Sequence, residues 1–123
     1  MYGWLVTDAM IKSSDVGKKG WRTGLPDRDI YRFYNSDGEL LYIGWSTVLL
    51  ERILEHIRGR SSNSKEFHHE ISTILITAAK NFDNVFKYNK NVDDVEKLMV
   101  RALNPKYNKV FKKGYSNKRK PWK

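Results

Sequence analysis

One stretch, residues 29–56, constrains the fold more than any other part of this sequence. Its first segment, Ile30–Tyr34, is β-branched and aromatic, as strands prefer. The next four residues, Asn-Ser-Asp-Gly, have the composition of a tight turn, and the glycine tolerates a positive φ. Leu40–Ile43 then predicts a return strand, which Gly44 is expected to end. The pattern therefore predicts a β-hairpin.

A helix is predicted directly after this hairpin. The apolar residues follow a 3.6-residue period at Leu49, Leu50, Ile53, Leu54 and Ile57. Ser46 or Thr47 precedes them and is expected to cap the helix. Arg52 and His56 are four residues apart, so we expect both side chains to project from one edge of the helix.

Short motifs in this stretch resemble those of the GIY-YIG nuclease family. The tripeptide at 29–31, Asp-Ile-Tyr, stands where the family has GIY, and the one at 42–44 is Tyr-Ile-Gly itself. Arg52 and His56 match the helix that follows. Downstream, Glu96 and the segment Pro105 to Asn108 resemble the family's closing helix and its PxxN element. The resemblance covers residues 29–108, and five elements in the family's order are far more specific than one tripeptide.

The resemblance implies a metal-dependent phosphodiesterase site. Tyr31 would be the general base, and Tyr42 would orient the water or the phosphate. Arg52 can place a bidentate guanidinium on the non-bridging oxygens. His56 is either an alternative proton acceptor or a second donor to the phosphate. Glu96 is an oxygen ligand suited to one Mg²⁺, with Mn²⁺ as an alternative ion.

Two further residues are assigned to the substrate side of the site by the same resemblance. Gly44, the last residue of the Tyr-Ile-Gly tripeptide, would belong to the substrate-binding residues, and Asn108 would hold the Glu96 region or a backbone turn in place. Each motif residue also has an ordinary structural interpretation. For example, Glu96 can be the capping-box partner of Asp93, and the tyrosines can be plain strand aromatics. Those interpretations leave the common order and spacing unexplained.

The sequence departs from the family pattern at two positions. Asp29 replaces the first glycine of the GIY motif, and Val48 stands where asparagine is common. Because side chains alternate along a strand, Asp29 would share a face with Tyr31. A carboxylate there would repel phosphate if it pointed into the site.

The remaining segments predict an α+β fold with the order β-β-α-α-β-α, a small three-stranded antiparallel sheet flanked by helices. Thr7–Ile11 is expected to form one helical turn. A second helix is predicted from a buried stripe made of Phe67, Ile71, Ile74, Leu75 and Ala78. Residues 84–88 predict the third strand, and residues 91–103 the last helix, which Pro105 stops. His68 and His69 are adjacent, so they would not share a metal ion.

Charge divides the chain into three parts. Residues 1–28, an N-terminal basic extension, hold five Lys or Arg against three Asp or Glu, and the module at 29–108 holds eleven of each. Residues 109–123 hold seven basic and no acidic residues, which predicts a flexible tail that binds DNA phosphates. A solvated tail without a ligand is the alternative. The predicted phosphate-binding residues of the tail are Lys112, Lys113, Lys118, Arg119 and Lys120.

Composition excludes several classes. The chain has no cysteine, so it has neither disulfides nor a thiolate zinc site. No apolar run has membrane-spanning length, which predicts a cytoplasmic protein of a bacterium or a phage-infected cell without a membrane partner. We therefore predict a Mg²⁺-dependent DNA endonuclease that acts as a monomer or homodimer on DNA. The alternatives are a nuclease selective for branched or flapped DNA and a non-catalytic nucleic-acid-binding protein.

Overall fold

The computed structural model describes residue 7 and residues 9–77 and 92–108. Within this part of the chain it contains four β-strands and two α-helices. They are β1 Ala9–Lys12, β2 Asp29–Tyr34, β3 Leu40–Ser46, α1 Leu49–Ile57, β4 Thr73–Thr77 and α2 Val92–Leu103. The strands form one antiparallel sheet in the order β1-β4-β2-β3. The predicted α+β class, with an antiparallel sheet flanked by helices, is confirmed, but the sheet has four described strands where three were predicted.

The predicted hairpin is β2 and β3. Its turn is closed by Asn35, whose side-chain Oδ1 accepts hydrogen bonds from the backbone N–H groups of Asp37 and Glu39 at 3.0 and 2.9 Å. Gly38 has a φ of 83° in this turn. The register places Tyr31 opposite Gly44, so Gly44 lies within β3 and does not end it. That detail of the prediction was wrong.

The predicted second helix is wrong, because its central part is the strand β4. Residues 73–77, Thr-Ile-Leu-Ile-Thr, are mostly β-branched, which favours a strand. Ile74 and Ile76 are fully buried on one face, and Leu75 between them is half-buried on the other. β4 pairs with β2 on one side and with β1 on the other. The predicted third strand at 84–88 lies outside the described residues.

The first strand comes from the segment that the sequence predicts as a basic extension. The expected helical turn at Thr7–Ile11 is wrong, because Ala9–Lys12 is β1 and pairs with β4, Ile11 opposite Ile74. Trp21 and Leu25, farther along this segment, pack against the buried core. The described part of the N-terminal segment is therefore integral to the sheet.

The two helices pack against the sheet through different sets of buried residues. The α1 face of the sheet carries Tyr31 and Phe33, which form a core with apolar residues of α1 and β4. The α1 contribution is Leu49, Leu50 and Ile53. The opposite face carries Ile30 and Ile43, and α2 packs on β3 and β2 with its own Met99 and Val100 buried. None of the described helices is long and apolar enough to cross a membrane.

The start of α1 is held by a residue that the sequence analysis did not assign. The Asp27 carboxylate accepts a hydrogen bond from the Leu50 N–H at 2.8 Å, and its carbonyl accepts one from the Leu49 N–H at 3.1 Å. The predicted caps do not bond the helix, although Ser46 Oγ accepts from the Val48 N–H at 3.0 Å in the preceding turn. Because Asp27 precedes β2, this contact fixes α1 beside the strand that carries Tyr31.

Candidate active site

The centre of the candidate site is a hydrogen bond between β2 and α1. The Tyr31 hydroxyl lies 2.8 Å from His56 Nε2, and both side chains are buried, with 2% and 0% of their surface exposed. Gly44 makes this position available, because a Cβ added there would collide with the Tyr31 ring and hydroxyl. Gly44 is itself buried, so its contribution is space for Tyr31. The sequence had placed it among the substrate contacts.

Tyr42 lies beside this pair on the same face of the sheet. Its ring centroid is 6.4 Å from that of Tyr31 and 5.5 Å from that of His56. The side chain of Asn63, in the loop after α1, lies close enough to Tyr42 to oppose part of the rise in its pKa. Burial, followed by the charge of Glu96, raises the pKa of Tyr42 to about 12. Tyr42 is therefore a neutral hydroxyl at physiological pH.

The Tyr31–His56 pair is neutral as well. Burial raises the pKa of Tyr31 well above its usual value, with smaller contributions from Tyr42 and Glu96, and Arg52 opposes the rise. Burial and then the charge of Arg52 lower the pKa of His56 to about 4. In the tautomer that carries its proton on Nδ1, Nε2 accepts the Tyr31 hydrogen, and Nδ1 has no hydrogen-bond partner in the described structure.

Arg52 stands at the solvent edge of the site. Its side chain is 45% exposed and lies 3.1 Å from the Glu55 carboxylate. His56, one turn later on α1, points into the core. The two side chains therefore differ in exposure, with Arg52 at the surface and His56 in the core. Arg52 nevertheless acts electrostatically on both tyrosines and on His56, lowering the pKa of each of the three.

Glu96 brings a carboxylate to the site from α2. It is half-buried, and its negative charge raises the pKa of both Tyr31 and Tyr42. Within the ranges that the structure describes, no group of three or more His, Cys, Asp or Glu side chains converges. This donor set fits Mg²⁺, which commonly uses one or two carboxylates and fills its other positions with water and phosphate oxygens. It does not fit an ion that needs an all-protein cage.

Asn108 braces the outer edge of β3. Its Oδ1 accepts a hydrogen bond from the Ile43 N–H, and its Nδ2 donates to the Ile43 carbonyl, each at 2.8 Å. The preceding residues continue this contact, since the N–H groups of Lys106 and Tyr107 bond the carbonyls of Leu40 and Leu41. Asn108 is buried and its amide is occupied by backbone. Asn108 thus braces strand β3, whereas the sequence analysis had it hold the Glu96 region or a backbone turn.

The two departures from the family pattern have structural explanations. Asp29 has a φ of 91°, in the left-handed region that favours glycine, so an Asp here carries backbone strain that Gly would avoid. Its carboxylate lies 3.5 Å from Arg28 Nε, and it is not among the charges that shift the pKa of Tyr31. Val48 is exposed at the N-terminus of α1.

Other residues of the site were missed by sequence reasoning. Phe67 stacks between Tyr42 and Tyr107, with ring centroids 5.6 and 4.6 Å away. The Tyr107 hydroxyl donates to Glu70 at 2.7 Å, which anchors this row of rings. The sequence analysis placed Phe67 in the buried stripe of a helix, so its burial was predicted but its place beside Tyr42 was not. The predicted tail residues 112, 113 and 118–120 lie outside the described part of the chain.

Comparison with known proteins places this geometry in a family. The model of the GIY-YIG catalytic domain matches residues 29–108, more than half of the chain. The chain therefore belongs to the GIY-YIG family and contains a GIY-YIG nuclease domain, which confirms the resemblance drawn from its motifs. No protein among the curated sequences matches it.

Solved structures of one endonuclease domain are similar to this chain. The GIY-YIG N-terminal endonuclease domain of UvrC from Thermotoga maritima, bound to magnesium as its catalytic divalent cation, is 20% identical, with 67% of this chain and 83% of that chain covered and a TM-score of 0.46. A point mutant of the same domain, bound to its catalytic divalent cation, is 19% identical over 67% of this chain and 82% of that chain, with a TM-score of 0.46.

Proposed function

We propose that this nuclease hydrolyses phosphodiester bonds of DNA with one bound Mg²⁺, Tyr31 being the general base. The observation that carries the proposal is the buried 2.8 Å hydrogen bond between Tyr31 and His56, two neutral groups flanked by the opposite charges of Arg52 and Glu96. A buried proton donor and acceptor beside one cation and one metal-type ligand suit attack of water on a phosphate.

Tyr31 and His56 would move the proton of the attacking water together. The raised pKa of Tyr31 makes a free tyrosinate costly in the resting protein. Tyr31 therefore takes the water proton while its own phenolic proton passes to His56 Nε2. His56 is neutral above about its pKa of 4, so its ring nitrogen can accept. The two alternatives of the sequence analysis, Tyr31 or His56 as the base, become two members of one relay.

Arg52 would stabilise the charge that develops on the phosphate. Its guanidinium is exposed and can donate two hydrogen bonds to non-bridging oxygens. The contact with Glu55 does not prevent this, because an exposed i,i+3 ion pair is worth less than about 1 kcal/mol. Tyr42, packed between Tyr31 and Phe67, would orient the water or the phosphate from the other side.

Glu96 would hold the metal ion. Bound Mg²⁺ would supply positive charge to the phosphate oxygens and to the leaving oxygen, and Mn²⁺ would substitute for it. Asn108 keeps β3, and with it Tyr42 and Gly44, in place through its two bonds to Ile43. A non-catalytic DNA-binding protein on this scaffold is the weaker candidate, because binding alone requires no buried Tyr–His pair.

The basic tail would add sequence-independent affinity for DNA. This part of the proposal is supported by charge alone, seven basic and no acidic residues at 109–123. Ending the chain after Lys109 is expected to reduce the salt dependence of binding, by about 0.9 in the log–log slope for each lost phosphate contact. An unchanged slope with a lower melting temperature would make the tail structural.

The metal assignment is tested with supercoiled plasmid. Glu96→Gln keeps the size of the side chain but loses the charge that attracts Mg²⁺. We expect the wild type to cut plasmid with Mg²⁺, and Glu96→Gln to cut at most about a hundredth as fast while binding DNA normally without metal. The matched control is Glu66→Gln, at an exposed position in the loop after α1, which should cut at the wild-type rate. Cutting by Glu96→Gln near the wild-type rate would contradict the assignment.

A further inference from the structure

The segment between β1 and β2, residues 13–28, lies outside the matched nuclease domain but is fixed to it by apolar side chains. Val16, Trp21 and Leu25 pack against the buried core. Between these anchors the backbone makes a run of tight turns, closed by hydrogen bonds of 3.0 to 3.2 Å. Apart from Trp21, every residue from 17 to 24 is exposed. Residues 13–28, which we call the N-terminal loop, therefore form a surface that is held on the domain.

The N-terminal loop lies along one side of α1. Arg22 Nη2 is 3.0 Å from the Glu51 carboxylate. The Cβ position of Gly17 is 3.8 Å from both Leu54 Cδ1 and Arg58 Nη2. Residues 51, 54 and 58 are spaced i, i+3 and i+7, so they form one stripe along the helix. The loop thus brings its own cations next to Arg58, which directly follows α1.

Two cations of this surface have no acidic partner. Lys18 and Arg22 each contact a carboxylate, at 3.5 and 3.0 Å. Lys19 and Arg58 are both exposed, and neither forms an ion pair with any described residue. Lys19 is two residues after Gly17, so its Cα lies within about 7.6 Å of the Gly17 Cα. Long basic side chains that start this close together favour a polyanion over a single exposed carboxylate.

These cations also lie near Arg52, the proposed phosphate ligand. Arg58 is six residues after Arg52, which places their Cα atoms about 10 Å apart in helical geometry. Both side chains are exposed. Each strand of DNA carries one phosphate for about 3.4 Å of the helix axis. The separation of the two arginines therefore corresponds to about three nucleotides.

We propose that Lys19 and Arg58 bind the DNA backbone about three nucleotides from the phosphate held by Arg52, which makes the N-terminal loop a second DNA-binding surface. The inference rests on the proposed function and adds a contact with its partner. The guanidinium donates to two phosphate oxygens, and the ammonium acts as a point charge. Neither group reads a base, so the affinity gained is equal for all sequences and falls with salt.

The test measures binding rather than cleavage, so that it does not depend on catalysis. The full chain, without metal, is titrated onto two fluorescent duplexes of unrelated sequence over a range of salt concentrations. The variant is Lys19→Gln/Arg58→Gln. The matched control is Lys12→Gln/Arg101→Gln, which removes the same two charges from exposed positions. Lys12 alternates with the core residue Ile11 on β1, and Arg101 is on α2, so both belong to the sheet face opposite α1.

We expect Lys19→Gln/Arg58→Gln to lower the slope of log Kd against log salt by about 1.8 on both duplexes, about 0.9 for each lost contact. Its Kd at 0.1 M salt should rise about 60-fold, which is this slope over the decade below 1 M. The control should keep the wild-type slope, and so should Arg58→Lys, which retains the charge. Both double variants should melt at the wild-type temperature.

Three outcomes would overturn the second surface. They are a wild-type slope in Lys19→Gln/Arg58→Gln, an equal loss of slope in the control, and a lower melting temperature with an unchanged slope, which would make the two cations structural. If the slopes behave as expected but plasmid is not cut with Mg²⁺, the surface stands and the proposed nuclease function is wrong.

Discussion

Strand β2 buries a polar side chain on each of its faces. The buried groups are neutral on one face, and the buried group on the other face is charged. On the α1 face, Tyr31 bonds His56, and neither group is charged at neutral pH. On the opposite face the neighbouring residue, Arg32, is 2% exposed and keeps its positive charge. Each face leaves one nitrogen, His56 Nδ1 or Arg32 Nε, without a hydrogen-bond partner in the described structure.

The partners of Arg32 show why its face is structural. Its guanidinium donates to the hydroxyls of Tyr34, Thr7 and Thr77 at 3.0, 2.9 and 3.4 Å, and no described acidic residue forms an ion pair with it. These bonds tie β2 to the N-terminal segment and to β4. Arg cannot lose its proton, so its charge is accommodated by dipoles, whereas burial simply keeps His56 neutral. A group that can change its charge suits proton transfer, and one that cannot suits bracing.

The largest expected effect is a difference in cleavage rate between a variant on each face of β2. Tyr31 and Tyr34 lie on the same strand, and each hydroxyl bonds one buried nitrogen side chain. Tyr31→Phe should slow Mg²⁺-dependent plasmid cutting about 10³-fold, because a general base contributes about 10² to 10⁴. Tyr34→Phe should change the rate by less than about twofold. Equal losses would mean that Tyr31 acts through packing, as Tyr34 does.

The second prediction concerns the pH dependence of stability. The folded protein protonates His56 only near its pKa of about 4, whereas the unfolded chain does so near 6.5. Between these values the unfolded state binds more protons, so the free energy of unfolding rises with pH. His56 therefore stabilises the fold fully above about pH 6.5, and about 3 kcal/mol is lost as the pH falls to 4.

Urea unfolding of the wild type and two histidine variants at pH 4 to 7 checks this value. His56→Gln should lose most of the slope over this window, and His69→Gln, at an exposed position, should keep it. A slope that is the same in His56→Gln and the wild type would mean that His56 titrates normally. The carboxylates contribute equally to all three proteins, so the difference isolates His56.

The smallest effect tests the permanent charge of Arg32. Tyr34→Phe removes a hydrogen bond to a charged group at a partly buried position, which should lower the free energy of unfolding by about 1.5 kcal/mol. Because Arg32 is charged at every accessible pH, this loss should be the same at pH 4 and at pH 7. A loss that changed between these two pH values would show that Tyr34 is coupled to a titrating group.

Local patterns predicted the hairpin, α1 and the motif residues well, because neighbouring residues alone specify them. The stripe from Phe67 to Ala78 fitted a helical period, yet Ile74 and Ile76 belong to a strand. Residues 73–77 form the strand β4 and not a helix because they pair with β1 on one side and with β2 on the other. Both partners are far away in the sequence. Asp27 was missed for the same reason, since strands β2 and β3 separate it in the sequence from the helix α1 that it caps.

The motifs predicted which residues meet at the candidate site but not how they are arranged there. The helical spacing of Arg52 and His56 placed both at one edge, and burial then separated them, since His56 bonds Tyr31 inside the core. No pattern indicated that Gly44 is needed as space for Tyr31. Contacts of this kind depend on three-dimensional packing, which residue type and spacing do not encode.

The two bonds of Asn108 also set the order in which the site can be assembled. They join residues 65 positions apart, and such distant contacts form late because a long loop must close first. During synthesis, the Tyr31–Tyr42 hairpin and α1 emerge from the ribosome long before Glu96 and Asn108. A nascent chain at that stage has the residues of the Tyr31–His56 pair but neither the Glu96 carboxylate nor the brace on β3. The order of the residues along the chain thus leaves the candidate site incomplete until the domain is almost fully translated.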